Sequence, residues 1–304
     1  MQGWGTAPPL VQACLQSWQR RNPAWTVRAL TEDNLADHLD FAAVYPDVKA
    51  ANMPAAALSD MIRVALLAEH GGVWADSTVF CSTPLDEWID DSSTTGFFAF
   101  ARPGPDRLLS SWFLASERGH PLTVEWRERV RDYWQDRDTA DHYFWLHRLF
   151  SAAYSSKDSF RQFWDATPKI RSDGPHYFVP YDSRLAGRMT RRARARVLSG
   201  ADPVYKLSHR AHPSAARAGT AYDFFCRWGA GAPMSAPDDA APVNRSVLLA
   251  VDRAEEKARW TVRHAATGVR TAVVEALRNA GFSRPPEGLA KREQLAFVLR
   301  HRSK

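Results

Sequence analysis

Between Asn52 and Pro84 the chain passes from a helix through a glycine pair into a buried strand, with almost no loop to rearrange. Asn52-Met53-Pro54 opens the helix, because proline is tolerated in a first turn whose N–H groups lack intrahelical partners. Leu58, Met61, Ile62, Ala65 and Leu66 fall on one side of it, while Asp60 and Arg63, three apart, share the opposite side. Gly71-Gly72 ends the helix as a C-terminal cap, where a residue without a Cβ is favoured. Val73-Trp74-Ala75 reads as a short buried strand with Asp76-Ser77-Thr78 at its carboxyl end, and Val79-Phe80-Cys81 continues extended to Pro84.

Around this block the pattern alternates. Leu10, Val11, Cys14, Leu15 and Trp18 predict a helix over 9–20, and Trp25 to Leu30 alternates like a strand. Thr31 is an N-cap for a helix over 32–39. Phe97-Phe98-Ala99-Phe100 reads as a buried strand, followed by helices at 107–118, 121–134, 142–154 and 158–165. Further strands are expected at 177–180 and 204–207. Strands alternating with helices predict an α/β domain with a mostly parallel sheet, whose ligand lies at the carboxyl ends of the strands, where Asp76 falls. The first domain runs over 1–228, a Gly/Ala/Pro linker over 229–244, and a basic, helical-looking appendage over 245–304, with helices at 245–280 and 289–300.

With 45% hydrophobic and 24% charged residues, the chain has the composition of a globular protein and excludes disorder as its main state. Its three cysteines, Cys14, Cys81 and Cys226, are scattered and form neither a zinc pattern nor a disulfide framework, which fits a reducing cytosol. Residues 1–10 do not read as a secretory leader, and no run is long enough to span a bilayer. A net charge of +6 favours anionic partners without choosing among them. The arginines between Arg184 and Arg196 read as a solvated helix face or loop.

A departing diphosphate needs positive charge or a metal, and an acidic residue at a strand end can hold a divalent cation there. Asp60 can accept from ribose or base hydroxyls, and Arg63 can hold a phosphate or orient a carboxylate. Singly, Asp60 with Arg63 reads as an ion pair on a helix face, and Asp76 as a turn residue. Together, beside two glycines and a short apolar strand, they read as a site.

The pattern S-D-x-x-R, G-G-V-W-x-D-x-T-V-F-C and P-L resembles the capsular polysaccharide synthesis proteins. These belong to a wider group of sugar transferases with a DXD motif, which includes the large clostridial toxin glucosyltransferases. The blocks at Ala7–Trp18, Trp112-Phe113-Leu114-Ala115, Tyr143–Phe150 and Tyr205-Lys206-Leu207 resemble the family too, so the likeness covers residues 3–210. It implies a GT-A-type, Rossmann-like fold, a UDP-sugar or similar nucleotide-sugar donor, and transfer with retention. The acceptor would be a bacterial capsular or lipid-linked glycan. On that analogy Asp60 contacts the nucleotide, Arg63 the donor side, and Asp76 the ribose or a metal. Asp76 and Thr78 would hold Mn²⁺ or Mg²⁺, although Thr78 stands where the wider group has a second carboxylate. Relatives carry a strand ahead of the position of Gly3, so the true start is expected upstream of Met1, and without that strand the sheet would have an unpaired edge.

Other candidates follow from position. His147 is read as an acid/base or hydrogen-bonding group near the acceptor sugar, or as a histidine without a role there, and Asp141 as an acceptor-side carboxylate. Lys206 and His209 can reach the diphosphate from a late loop. Trp74 is either core or a substrate-binding platform. Two rival readings are a haloacid dehalogenase-like phosphohydrolase with Asp76 as nucleophile and Asp238-Asp239 as its late acidic pair, and a non-catalytic nucleic-acid binder using the basic runs. No nucleic-acid signature supports the second, and the basic tail is read as docking on anionic membrane.

Overall fold

The computed structural model describes residues 3–48, 53–178, 183–208 and 216–234, together with the backbone of a strand at Phe297–Arg300. The N-terminal half contains α1 (Pro9–Arg21), β1 (Thr26–Ala29), α2 (Glu32–Leu35), α3 (Phe41–Val44), α4 (Ala55–His70), β2 (Gly72–Ala75), β3 (Val79–Cys81) and α5 (Ile89–Ser92). It continues through β4 (Phe97–Gly104), β5 (Arg107–Ser116), α6 (Pro121–Trp134), α7 (Trp145–Ser156) and α8 (Asp158–Ala166). The remainder is α9 (Ser183–Ala186), α10 (Arg191–Leu198), β6 (Val204–Lys206), α11 (Ala221–Gly229) and β7 (Phe297–Arg300).

The local signals place the first elements well. Thr31 caps α2 through a reciprocal pair of bonds: Asn34 N–H donates to Thr31 Oγ1 at 3.3 Å, and Thr31 N–H to Asn34 Oδ1 at 2.8 Å. The helix it opens is shorter than the span to Leu39. α4 starts after Pro54 and stops at Gly71, whose φ is +67°. A Cβ there would lie 2.6 Å from the amide nitrogen of Arg118, so the cap needs glycine for both its backbone and its space. α11 carries no element expectation from the sequence, and α10 takes up the end of the arginine run read as a helix face or loop.

Two expectations about the main sheet are corrected. The segment 107–118 is not a helix but the strand β5, paired with β4 across the Gly104-Pro105-Asp106 turn. Leu109 and Leu114 are buried in one core cluster and Phe113 and Ala115 in the other, so the apolar run is buried on both faces and offers no period to distinguish strand from helix. The sheet is also not mostly parallel. Its order among the described strands is β1-β7-β2-β5-β4, and each pair of neighbouring strands is antiparallel. The alternation of strand and helix does give β1 and β2 the same direction, but each pairs with β7 running the opposite way. β7 thus lies between β1 and β2, and β1 and β4 are the outer strands. The class is mixed α/β.

A second sheet joins β3 to β6, antiparallel, with Val79 opposite Lys206. The expected strand at 177–180 is not formed at Tyr177 and Phe178, which lie in a turn, and 179–180 fall outside the described residues. Phe178 is buried against Tyr205 and Phe225, so its apolarity reflects core packing. The end of the expected helix at 289–300 is the strand β7; 235–296, which hold most of the linker and appendage, fall outside the described residues.

One face of the main sheet is covered by α4, α6, α7 and α8, around Trp74, Phe97, Trp126 and Phe150. The other face packs Trp18 of α1 against Phe113, with Phe98 and Phe100. A third cluster lies between α10, α11 and the small sheet. There the arginine run is not wholly solvated: Arg196 is buried and its Nη2 meets Asp202 Oδ2 at 2.5 Å.

Candidate active site

Three elements converge on Asp76. β2 carries it to the sheet end, where its N–H donates to the Trp112 carbonyl at 2.9 Å and its own carbonyl accepts from Val79 N–H at 2.8 Å. These bonds fix the turn in place. α4 brings Asp60 and Arg63, one turn apart, to the same end. β6 brings Lys206, because pairing with β3 sets it across from the D-x-T segment. Lys206 N–H is further held by the Pro175 carbonyl at 2.9 Å, and Leu207 N–H by the Thr78 carbonyl at 2.8 Å.

Arg63 is the buried hub, only 6% exposed. Its Nη2 lies 3.1 Å from Asp60 Oδ1 and 3.3 Å from Asp76 Oδ1. Nη1 donates to the Ser111 carbonyl at 2.7 Å and to Ser111 Oγ at 2.9 Å, while Nε and Nη2 donate to the carbonyl and Oγ of Ser59. Such a planar fork presents five donors in fixed directions, against the three of an ammonium. Lys206 Nζ sits between Asp76 Oδ2 at 2.9 Å and Thr78 Oγ1 at 2.7 Å. Asp60, Asp76 and Lys206 keep 16%, 23% and 21% of their side chains exposed, so the cluster opens to solvent on one side. Burial alone would raise the Asp76 pKa, but the Lys206 ammonium and the Arg63 guanidinium outweigh it and hold the carboxyl below its usual range.

The expected residues divide accordingly. Asp60, Arg63, Asp76, Thr78 and Lys206 form one hydrogen-bonded cluster. Trp74 is fully buried, so its ring does not face a ligand; its indole N–H instead donates to Asp76 Oδ1 at 3.1 Å. Trp74 thus acts on the site through Asp76 and is corrected as a stacking platform. His147, on α7, lies near enough for the charges of Arg107, Arg63 and Asp76 to act on it. Burial, then Arg107 and Arg63, push its pKa down to about 3, so the imidazole is neutral. Its Nδ1 is buried with no hydrogen-bond partner among the described residues. Asp141 is not brought in: it is exposed and accepts from Tyr133 Oη at 2.6 Å, and no hydrogen bond or ion pair among the described residues joins it to Asp76. His209 and Asp238-Asp239 fall outside the described residues.

Sequence reasoning missed Ser111 and Arg107, both on the strand taken for a helix. Ser111 anchors Arg63, and the Arg107 guanidinium lies 3.6 Å over the Phe144 ring, next to His147. The available signal was Ser111 inside an apolar run, since a buried hydroxyl there favours a polar partner.

The family model described as capsular polysaccharide synthesis protein matches residues 1–225, which include every member of this cluster. The chain belongs to that family. The family chain is also 29% identical over 151 residues to the O-glycosyltransferase braB of Annulohypoxylon truncatum, covering 43% of this chain and 35% of that protein. It is 28% identical over 140 residues to an initiation-specific alpha-1,6-mannosyltransferase of Candida albicans, covering 38% of this chain and 36% of that one. The matches thus span about a third of the length of either curated relative. No solved structure gives a significant match. Among the described residues, no helix is long and apolar enough to cross a membrane.

Proposed function

We propose that the protein is a glycosyltransferase, moving a sugar from a nucleotide-sugar donor, with a UDP-sugar favoured, to a capsular or other surface-polysaccharide acceptor. The observation that carries this reading is the half-open cluster of Asp60, Arg63, Asp76 and Lys206 at one sheet end. It sets two carboxylates for hydroxyl recognition beside a cation that an anionic diphosphate can reach. Family membership and the two curated glycosyltransferases support the same chemistry. A GT-A-type donor fold and transfer with retention belong to this proposal through the family resemblance.

In this reading Asp60 accepts from a ribose hydroxyl or a base N–H, and Arg63, already saturated, positions both carboxylates. Lys206 meets the departing phosphate. His147, held neutral, belongs to the acceptor side in this reading. Residues 1–228 form the transferase domain, and the basic region 245–304, after the 229–244 linker, docks on anionic membrane or a lipid-linked acceptor at its cytoplasmic face; failure to float with anionic liposomes at low salt would remove that part.

The test is a melting-temperature panel of nucleotide sugars and nucleoside diphosphates on the full chain. Ligand at about 100 times its Kd stabilises the folded state by about 2.7 kcal/mol. A UDP-sugar shift that disappears in Asp76→Asn, with sugar transfer lost and the circular dichroism unchanged, is the expected result. Full transfer by Asp76→Asn would end the assignment.

A further inference from the structure

We propose that Lys206 is the resident cation of this site and that donor binding and transfer do not depend on a divalent metal. The inference rests on the donor-site reading above and concerns the two side chains, Asp76 and Thr78, that the family resemblance would give to Mn²⁺ or Mg²⁺. Both are already engaged by one ammonium: Lys206 Nζ lies 2.9 Å from Asp76 Oδ2 and 2.7 Å from Thr78 Oγ1. The other carboxylate oxygen of Asp76 is taken as well, by Arg63 Nη2 at 3.3 Å and the Trp74 indole N–H at 3.1 Å.

This donor set does not fit a hard divalent cation. Mg²⁺ demands near-octahedral oxygen ligation at about 2.0–2.1 Å, and affinity for such ions rises with ligand charge. Here the two carboxylates, Asp60 and Asp76, are balanced by Arg63 and Lys206, so the cluster carries no excess negative charge. Among the described residues, no group of three or more His, Cys, Asp or Glu side chains is placed to hold a metal. A divalent ion at Asp76 and Thr78 would stand against the ammonium.

Lys206 has what the ion would otherwise supply. An ammonium has three donors, of which two are committed to Asp76 and Thr78. With 21% of the side chain exposed, the third is available to a phosphate oxygen. The lysine sits on a strand whose pairing to β3 fixes its height above the motif, so its charge is in place before the reaction begins. In the transfer, the bond between the sugar's anomeric carbon and the phosphate oxygen breaks and its electron pair stays on the diphosphate, against Lys206. The acceptor hydroxyl oxygen bonds the anomeric carbon, and its proton passes to the released diphosphate oxygen.

The experiment is calorimetric titration of the full chain with UDP and UDP-glucose, in EDTA and again in Mn²⁺. UDP is expected to bind in EDTA with an affinity within about threefold of that in Mn²⁺. Lys206→Met should weaken UDP by about 10- to 100-fold, the range for one charge-assisted hydrogen bond, while leaving uridine binding nearly unchanged. Lys206→Arg, which keeps the charge, should recover part of the loss and guards against a folding defect in the methionine variant. Binding that appears only with Mn²⁺, or UDP binding undiminished in Lys206→Met, would overturn the inference while leaving the donor site standing. If the folded wild-type chain binds no nucleotide or nucleotide sugar in either medium, the donor-site reading falls, and this inference falls with it.

Discussion

Replacing Arg63 with methionine should unlock the helix that carries Asp60 from the sheet that carries Asp76. The side chain is 6% exposed and meets two carboxylates at 3.1 and 3.3 Å, and it donates to both the carbonyl and the hydroxyl of Ser59 and of Ser111. Methionine roughly fills the volume but leaves the Ser111 carbonyl and two carboxylates without their common donor. Removing one partner of a buried, hydrogen-bonded charge network costs about 3–5 kcal/mol. For a folded body of about 150–250 residues, each kcal/mol lowers Tm by about 2–4 °C, so the expected loss is about 6–20 °C. Thermal denaturation followed by near-ultraviolet circular dichroism reads this directly. Arg63→Lys keeps the charge but not the fork, and should recover less than half of the loss. A double-mutant cycle with Asp60→Asn should return a coupling of about 1 kcal/mol or more, since the two groups share one contact. A Tm loss below about 2 °C in Arg63→Met would mean that the network does not tie helix to sheet, and the structural role given to Arg63 would be wrong.

The neutral His147 gives a pH signature. Its folded pKa of about 3 lies below the unfolded value of about 6.5, so between these the unfolded chain binds a proton that the folded chain refuses. Stability therefore falls as pH drops from about 6.5 towards 3 and is level above; His147→Gln should flatten that slope in urea midpoints, and an unchanged slope would contradict the burial of the imidazole. Asp202→Asn should cost about 3–5 kcal/mol in the same assay by removing the carboxylate charge beside the buried Arg196, and more than the double change Arg196→Met with Asp202→Leu, which removes both charges. Equal losses would show that the pair is not coupled. Gly71→Ala should destabilise more than Gly119→Ala, because both have positive φ but only the first would drive a Cβ into backbone, at about 1–3 kcal/mol for the conformation alone. Equal effects would leave only the φ penalty.

What the sequence determined was local. The helix α4, its glycine stop, the strand β2 and the aspartate at its end follow from proline, spacing and cap chemistry within some thirty residues, and they appear where those signals put them. Trp74 was legible only as core or platform, and the burial of every residue of its strand decided for core. Tertiary structure decided the rest. β5 was unreadable because its apolar run is buried on both faces, and the direction of strand pairing was unreadable because alternation says how strands run and not which of them are neighbours. The contact that matters most, Lys206 on Asp76 and Thr78, joins residues 130 and 128 positions apart. No spacing rule reaches that far: the lysine is where it is because β6 pairs with β3, and both strands contribute side chains to the third core cluster.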